Sequence, residues 1–402
     1  MLKRRSFVCA AAGVLARRQG TASEDALDQA LAQKAAPPPP AAGAEYRNRQ
    51  SGIAYRRLGR TGFQVSEIAV GGNTIREDNY EHVLLALDMG ANYLDTAPAY
   101  GNGASERGYA RVLRSRKRDS FFLNSKVSLW DLNRNKLYQD IFNSLPETDQ
   151  KRLRAEAMEN LERRGVLERD YFGDYFRGQR GEMEAAALSD VMARSYGGRI
   201  DREKNYRRII LESVDQSLAR LGTDHLDILM CPHGASSPSE LLDHPEIFEA
   251  FEALRKQGKV RHLGVSAHND PAGILEAAAA SGVYSVAMVA YSIINARFVD
   301  KAIRKAEAAG VGVIAMKAAR PVFSGRPNSA DDPARVRRIE EAAPGALKRP
   351  QKAYLWVLRN PRVSAAISEM ITAEHVRDNL PLARARPERR SGDAVLTPDR
   401  SA

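Results

Sequence analysis

Short apolar runs of strand character alternate with helices eight times between residues 68 and 380, and this rhythm limits the fold more than any other feature of the chain. The runs begin at Ile68, Ala91, Phe121, Leu226, Val260, Ser285, Val311 and Val363. Each is followed by a stretch with helical apolar spacing, such as 79 to 89, stopped by Gly90, or 247 to 257, closed by Gly258. Eight such units without a long antiparallel run predict an α/β fold closed as a parallel (β/α)8 TIM barrel, not an open sheet. A barrel of this kind needs about 250 residues, so a chain of 402 has room for additions.

The additions divide the chain into 1–50, a barrel over 51–380, and a tail over 381–402. At the front, Lys3-Arg4-Arg5-Ser6-Phe7-Val8 precedes a weakly apolar run from Val8 to Ala16. Paired arginines ahead of such a run resemble a twin-arginine export signal, which implies engagement of an export translocon and a periplasmic address, with the cytoplasm as the alternative. The nearest Ala-x-Ala considered for cleavage is Ala30-Leu31-Ala32, and residues 33 to 50, with Pro37 to Pro40, read as a solvated linker. Tyr55 to Ser66 alternates around Gly59-Arg60-Thr61-Gly62, which predicts a hairpin. A charged helical insertion, Trp130 to Asn205, falls between the third strand and its helix. It is amphipathic over 147–163 and 182–194, carries Tyr171, Phe172, Tyr175 and Phe176 between those helices, and is expected at the barrel mouth as a lid or a partner-binding arm. The Arg- and Pro-rich tail is expected to be disordered.

Composition removes several classes of function. The net charge of +11 owes much to the ends, with Lys3, Arg4, Arg5, Arg17 and Arg18 in front and Arg384, Arg386, Arg389 and Arg390 behind. No basic stripe interleaved with aromatics lies between them, so the chain lacks a nucleic-acid footprint. No run approaches the roughly 20 apolar residues needed to cross a bilayer. Cys9 and Cys231 are the only cysteines, which leaves no disulfide framework and no zinc spacing.

The chemistry gathers around Tyr93 to Gly101, read Y-L-D-T-A-P-A-Y-G. In a parallel barrel, the ends of strands and the loops after them carry the ligand site. That rule places Asp95 and Tyr100 after the second strand, Lys126 at the end of the third and His233 after the fourth in one mouth. Taken singly, Lys126 is a surface residue and His233 a satisfied loop residue. Together they form a proton-donating device: Asp95 holds Lys126, whose ammonium is expected to lower the Tyr100 phenol from its reference value near 10, and His233 hydrogen-bonds the oxygen that Tyr100 protonates.

With these residues in place the sequence resembles the aldo-keto reductase family over about residues 55 to 380. The motifs are L-G-R-T-G with V-S at 58–66, D-T-A-x-x-Y-G at 95–101 followed by Gly103 and Ser105-Glu106, Ser125-Lys126, and S-L-A-R-L-G-T-D-H-L-D at 217–227 leading to His233. The resemblance implies an oxidoreductase that reduces a small carbonyl substrate, an aldehyde, ketone or sugar-like compound, by hydride transfer from NADP(H), with NAD(H) as the alternative. Asp95, Tyr100, Lys126 and His233 become its catalytic tetrad, with Tyr100 as the acid. It also implies that Ser266 holds the nicotinamide carboxamide, Tyr291 stacks on the ring, Lys317 precedes the pyrophosphate loop, and Asp378 and Asn379 meet the adenine; no metal is implied.

The cofactor positions depart from the family pattern at several points. Ala267 stands for Asn, Met288 for Gln, Ala318-Ala319-Arg320 for a Pro- and Gly-rich continuation, and Glu369 for Gly, with Ile371 near where Arg or Ser often meets the 2′-phosphate. A carboxylate there would repel a phosphate, so weakened NADP preference, NAD use and a distorted pocket all stay open. Two rival functions follow. One is a catalytically weak nucleotide-binding barrel acting as sensor or scaffold, and the other is a lyase using Lys126 as a Schiff-base nucleophile.

Overall fold

The computed structural model describes residues 24–34, 43–324 and 330–385. Helix α1 (Glu24–Leu31) and strands β1 (Glu45–Tyr46), β2 (Tyr55–Arg57) and β3 (Phe63–Ser66) precede the barrel. Its first units are β4 (Ile68–Val70) with α2 (Glu81–Asp88), β5 (Tyr93–Asp95) with α3 (Ala104–Ser115), and β6 (Phe122–Lys126). The insertion supplies α4 (Trp130–Asn143), α5 (Glu147–Arg163), α6 (Arg169–Phe172) and α7 (Gln179–Tyr196), after which α8 (Arg208–Leu221) completes the third unit. Then come β7 (Leu226–His233) with α9 (Ser239–Leu242) and α10 (Pro245–Lys256), β8 (Val260–Ala267) with α11 (Pro271–Ser281), and β9 (Val286–Ala290) with α12 (Ala296–Ala308). Strand β10 (Gly312–Met316) with α13 (Pro333–Ala342) and α14 (Arg349–Leu358), and β11 (Val363–Ser368) with α15 (Ala373–Asn379), finish the ring.

Strands β4 to β11 pair in chain order, every pair is parallel, and β11 returns to β4. This is the closed barrel that the eightfold rhythm predicts. Strand periodicity sorts the side chains into two cores. Tyr93, Phe122, Ile228, Met230, Met288, Ile314 and Met316 fill the lumen, while Leu94, Leu123, Leu229, Val265 and Val289 face the helices. The expected hairpin, β2 against β3, joins β1 in a small sheet that stoppers the bottom. There Phe63 stacks on Phe122 with ring centroids 4.3 Å apart and meets His262 edge-on at 5.0 Å.

Two stretches depart from the expected leader, linker and tail. Leu27 and Leu31 of α1 are buried in the outer core, and the buried Lys34 is ion-paired with Glu67. Its ammonium also donates to the carbonyls of Leu382, at 2.9 Å, and Arg384, at 2.8 Å. Residues 380–383 form a turn with Leu382 and Ala383 buried, and Ala54 N–H donates to the Ala383 carbonyl at 2.7 Å. The reason is topological: the two ends meet beside the bottom sheet, where composition alone gives no sign of a partner. Arg4, Arg5, Pro37 to Pro40 and the chain beyond Ala385 lie outside the described residues.

The insertion is joined to the barrel by an apolar core and does not stand off from it. Leu153, Leu161, Met183 and Val191 belong to the same outer core as the barrel helices. Polar ties run from it to the loop after β8: Tyr171 O–H donates to Asp270 Oδ1 at 2.6 Å, Arg164 is ion-paired with Asp270, and Gln179 Nε2 donates to Asn269 Oδ1 at 2.8 Å. Among the described residues, no helix is long and apolar enough to cross a membrane.

Candidate active site

The four expected side chains converge. Asp95 and Lys126 point into the lumen because they share the faces of Tyr93 and Phe122 on adjacent strands. Asp95 forms an ion pair with Lys126 and accepts from Asn124 Nδ2 at 3.0 Å; Lys126 Nζ donates onward to the Thr96 carbonyl at 2.8 Å. Gly72 lets β4 approach this point, since a Cβ there would collide with the carbonyl oxygen of Asp95. Tyr100 arrives on the turn after β5. Its hydroxyl accepts from Lys126 Nζ at 3.1 Å and donates to Asp95 Oδ2 at 3.4 Å. His233 faces the same phenol, with ring centroids 5.8 Å apart and the planes at 83°.

Electrostatics correct one expectation. The Tyr100 phenol is held well above its ordinary value, first by burial, then by the carboxylates of Asp95 and Glu369. The expected lowering by Lys126 does not prevail: burial disfavours the phenolate, and Asp95 answers the ammonium. Burial also lowers the Lys126 ammonium, against the opposing pull of Asp95. His233 is pushed well below its usual range by burial, then by Lys126 and His268. At neutral pH the site therefore holds a protonated phenol and a neutral imidazole.

Two neighbours escaped the sequence reading. Ser128 Oγ lies 2.7 Å from His233 Nδ1, which fixes that imidazole and leaves Nε2 for the mouth. His268 lies just past the end of β8, two residues after Ser266 and near enough for its charge to act on His233; the lumen face of β8 itself is marked by Gly264, where a Cβ would meet the Met230 sulfur at 2.5 Å. Burial, Lys317 and Lys126 bring its imidazole down to about 3. No motif signalled either residue; Ser128 depends on how β6 and β7 register, and His268 on how β7 and β8 do, with His233 paired to Ser266 past an irregularity in the ladder.

The expected cofactor positions divide. Ser266 is buried at the mouth end of β8, level with His233. Lys317 follows β10 in a left-handed backbone conformation, φ 59°, near enough for its charge to depress His268. Tyr291 does not face the mouth. It shares the outward face of Ala287 and Val289, packs against Trp356 at 5.7 Å, donates its hydroxyl to Asp300 at 2.7 Å and accepts from Asn360 at 3.2 Å. Strand parity turned it to the helices, so the expected stacking surface is absent at that residue. Asp378 is ion-paired with Lys348 at 2.6 Å, and Asn379 Nδ2 donates to Ser368 Oγ at 3.1 Å. Glu369 follows β11 directly, near enough for its charge to raise Tyr100.

Known proteins resemble this chain in sequence and in fold. The model of the Aldo/keto reductase family matches residues 64–172 and 199–386 and leaves out part of the insertion. The uncharacterized oxidoreductase YqkF of Bacillus subtilis is 22% identical over 351 residues, which are 82% of this chain and 91% of that protein. Oxidoreductase YdhF of Escherichia coli is 47% identical over 57 residues, 14% of this chain and 18% of its own. Among solved structures, the thermostable aldo-keto reductase Tm1743 in complex with the inhibitor epalrestat superposes with a TM-score of 0.54 at 21% identity, covering 82% of this chain and 94% of that one. An aldo-keto reductase from Klebsiella pneumoniae in complex with NADPH gives 0.51 at 18% identity, over 84% and 97%. A matched span of this extent over a closed parallel barrel has one reading: the chain belongs to the Aldo/keto reductase family and is an NAD(P)-dependent oxidoreductase.

Proposed function

We propose that the chain reduces a small carbonyl compound with Tyr100 as proton donor and NADP(H) as its cofactor, NAD(H) being the alternative. One observation carries this reading: the Tyr100 hydroxyl touches Lys126 Nζ at 3.1 Å and Asp95 Oδ2 at 3.4 Å while facing an imidazole pinned by Ser128. A bound nicotinamide dinucleotide supplies the hydride. The residues present fit such a group: the Ser266 hydroxyl stands beside an apolar floor of Met288 and Met316, and Lys317 and Arg320 on the loop after β10 bring positive charge for phosphates. NADPH in the Klebsiella pneumoniae relative supports the same choice.

The chain's own groups do the proton work. Ser128 donating to Nδ1 of the neutral His233 puts the ring proton on Nε2, from which it hydrogen-bonds the carbonyl oxygen. Tyr100 stays protonated until that oxygen gains negative charge, and then hands over its hydrogen. The nearby Lys126 ammonium stabilises the phenolate that results, and Asp95 keeps the ammonium in place.

Tyr100→Phe is expected to lower kcat/KM for carbonyl reduction by about 100-fold or more while NADPH still binds by fluorescence titration. Equal turnover in the variant removes Tyr100 from the role. Nucleotide binding by the unmodified chain with no turnover across a carbonyl panel favours the sensor or scaffold reading. For the address, Arg4 and Arg5 support export to the periplasm; replacing both by Lys is expected to retain the protein in the cytoplasm, as fractionation would report.

A further inference from the structure

The insertion leaves the ring after β6, and its short helix α6 is fastened at the far end of the loop after β10, the strand diametrically opposite in the closed ring. It reaches that point along the rim, with a tie at each loop on the way. After β7, Ser237 Oγ donates to Asp190 Oδ1 at 3.1 Å. After β8, Arg164 is ion-paired with Asp270, and the Tyr171 hydroxyl donates to Asp270 Oδ1 at 2.6 Å while accepting from the Ala272 amide at 2.9 Å. At the start of α12, the Tyr171 ring packs against Phe298 with centroids 4.9 Å apart, and Arg297 lies 3.5 Å from Glu168. At the start of α13, Arg169 is ion-paired with Asp332, and Arg335 donates to both Asp170 Oδ1, at 3.0 Å, and the Arg169 carbonyl, at 3.3 Å.

The segment that receives these last contacts is itself tied down. Asp332 caps α13, accepting from the amides of Ala334 at 2.9 Å and Arg335 at 3.3 Å. Its neighbour Asp331 accepts from the Ser324 amide at 2.6 Å and is ion-paired with Arg349, and the Ser324 carbonyl accepts from Arg320. Helix α6 therefore joins the loop that follows Ser266 to the loop that carries Lys317 and Arg320. These two loops flank the seat assigned above to the dinucleotide. A molecule seated between them leaves when they part, and a crossbar between them resists that parting. Its Tyr171–Asp270 end is buried and fixed. The other end is made to release, because Arg169 is 80% exposed and accessible ion pairs are individually weak and screened by salt.

We propose that α6 is a latch on the bound nucleotide: the Arg169–Asp332 and Asp170–Arg335 pairs hold the loops after β8 and β10 together, and their opening sets the rate at which the dinucleotide is released. This rests on the reductase reading above and gives the insertion a task within it. The latch acts through the loops, so Asp170 and Arg335 are positioning residues.

The full chain loaded with NADPH would be mixed with excess NADP+, and the fall in nicotinamide fluorescence followed by stopped flow. Asp170→Arg and Arg335→Asp are each expected to speed release about fivefold or more. The double variant, in which the pair is restored with its ends exchanged, is expected to return to within about twofold of the parent. Raising salt from about 0.05 M to about 0.5 M is expected to speed release more in the parent than in either single variant. Hydrogen exchange needs no substitution: NADPH added to the unmodified chain is expected to slow exchange over 169–172 and 332–336 together. Release at the parent's rate in both single variants, no recovery in the exchanged pair, an equal effect of salt on parent and variants, or unchanged exchange over 169–172 overturns the latch while leaving the reductase reading intact. Failure of the chain to bind NADPH at all removes the reading and the latch together.

Discussion

A phenol is a weak acid at neutral pH, and burial beside Asp95 and Glu369 makes Tyr100 weaker still in the resting site. That is consistent with its proposed part, because the hydrogen must remain available until negative charge arises on the substrate. Rate at the residue scale then depends on groups that favour the phenolate only at that moment, Lys126 through its charge and His233 through orientation. Ser128→Ala removes the partner of Nδ1 without touching the phenol. We expect kcat/KM to fall about five- to tenfold, the equivalent of one lost hydrogen bond, with nucleotide affinity unchanged; an undiminished rate would show that His233 needs no such support. The sequence made Asp95, Tyr100, Lys126 and His233 legible because each ends a strand or follows one closely. Ser128 and His268 were hidden because their roles arise from the registry of two separate strands. The direction of the Tyr100 shift was hidden as well, since enclosure is a property of the assembled mouth.

Among the elements, the insertion is bound to the barrel across a polar seam. Glu240, on α9, accepts the amides of Ser236 at 2.9 Å and Ser237 at 3.0 Å through Oε1, while Oε2 is buried without a partner among the described residues. Burial, with Asp190 adding to it against the pull of Arg134, pushes this carboxyl up to about 7. A carboxyl raised in the folded state favours folding fully below its unfolded value near 4.3, and that contribution is lost as pH rises towards 7. Glu240→Gln keeps the oxygen that both amides need and cannot ionise. Urea midpoints at pH 8 are therefore expected to be higher in the variant than in the parent, with the difference shrinking as pH falls and vanishing near pH 4; a gain of equal size at both values would contradict the titration. Helices α5 and α7 were legible from apolar spacing, and so was the hairpin from its turn. Helix α1, strand β1 and the closing turn were not, because eight residues or fewer take their order from what they pack against, and the periodicity of so short a piece carries little information.

At the scale of the whole molecule, the eightfold alternation declared the closed barrel, since few other arrangements bury eight parallel strands on both faces. Enclosure also sets the response to acid. Burial brings the imidazoles of His262, His268 and His244 down to about 4, about 3 and about 2, and lowers His233 well below its range. An unfolded chain protonates these rings near 6.5 and the folded one refuses the protons, so stability is intact above that value and falls as pH drops towards 4. Glu240 acts with the opposite sign, so the acid limb is best isolated in the Glu240→Gln background. There, denaturant midpoints are expected to decline steadily between pH 6.5 and pH 4.5, and a flat profile would mean that these rings are reached by solvent. The fastening at the barrel's foot bears on maturation. Leu31 is 1% exposed, so a peptidase seeking Ala30-Leu31-Ala32 must first peel α1 from its seat. Trimming at that point would detach both leucines that anchor the strap and leave Lys34 at a frayed terminus, with Arg56 as the remaining held counter-ion of the deeply enclosed Glu67.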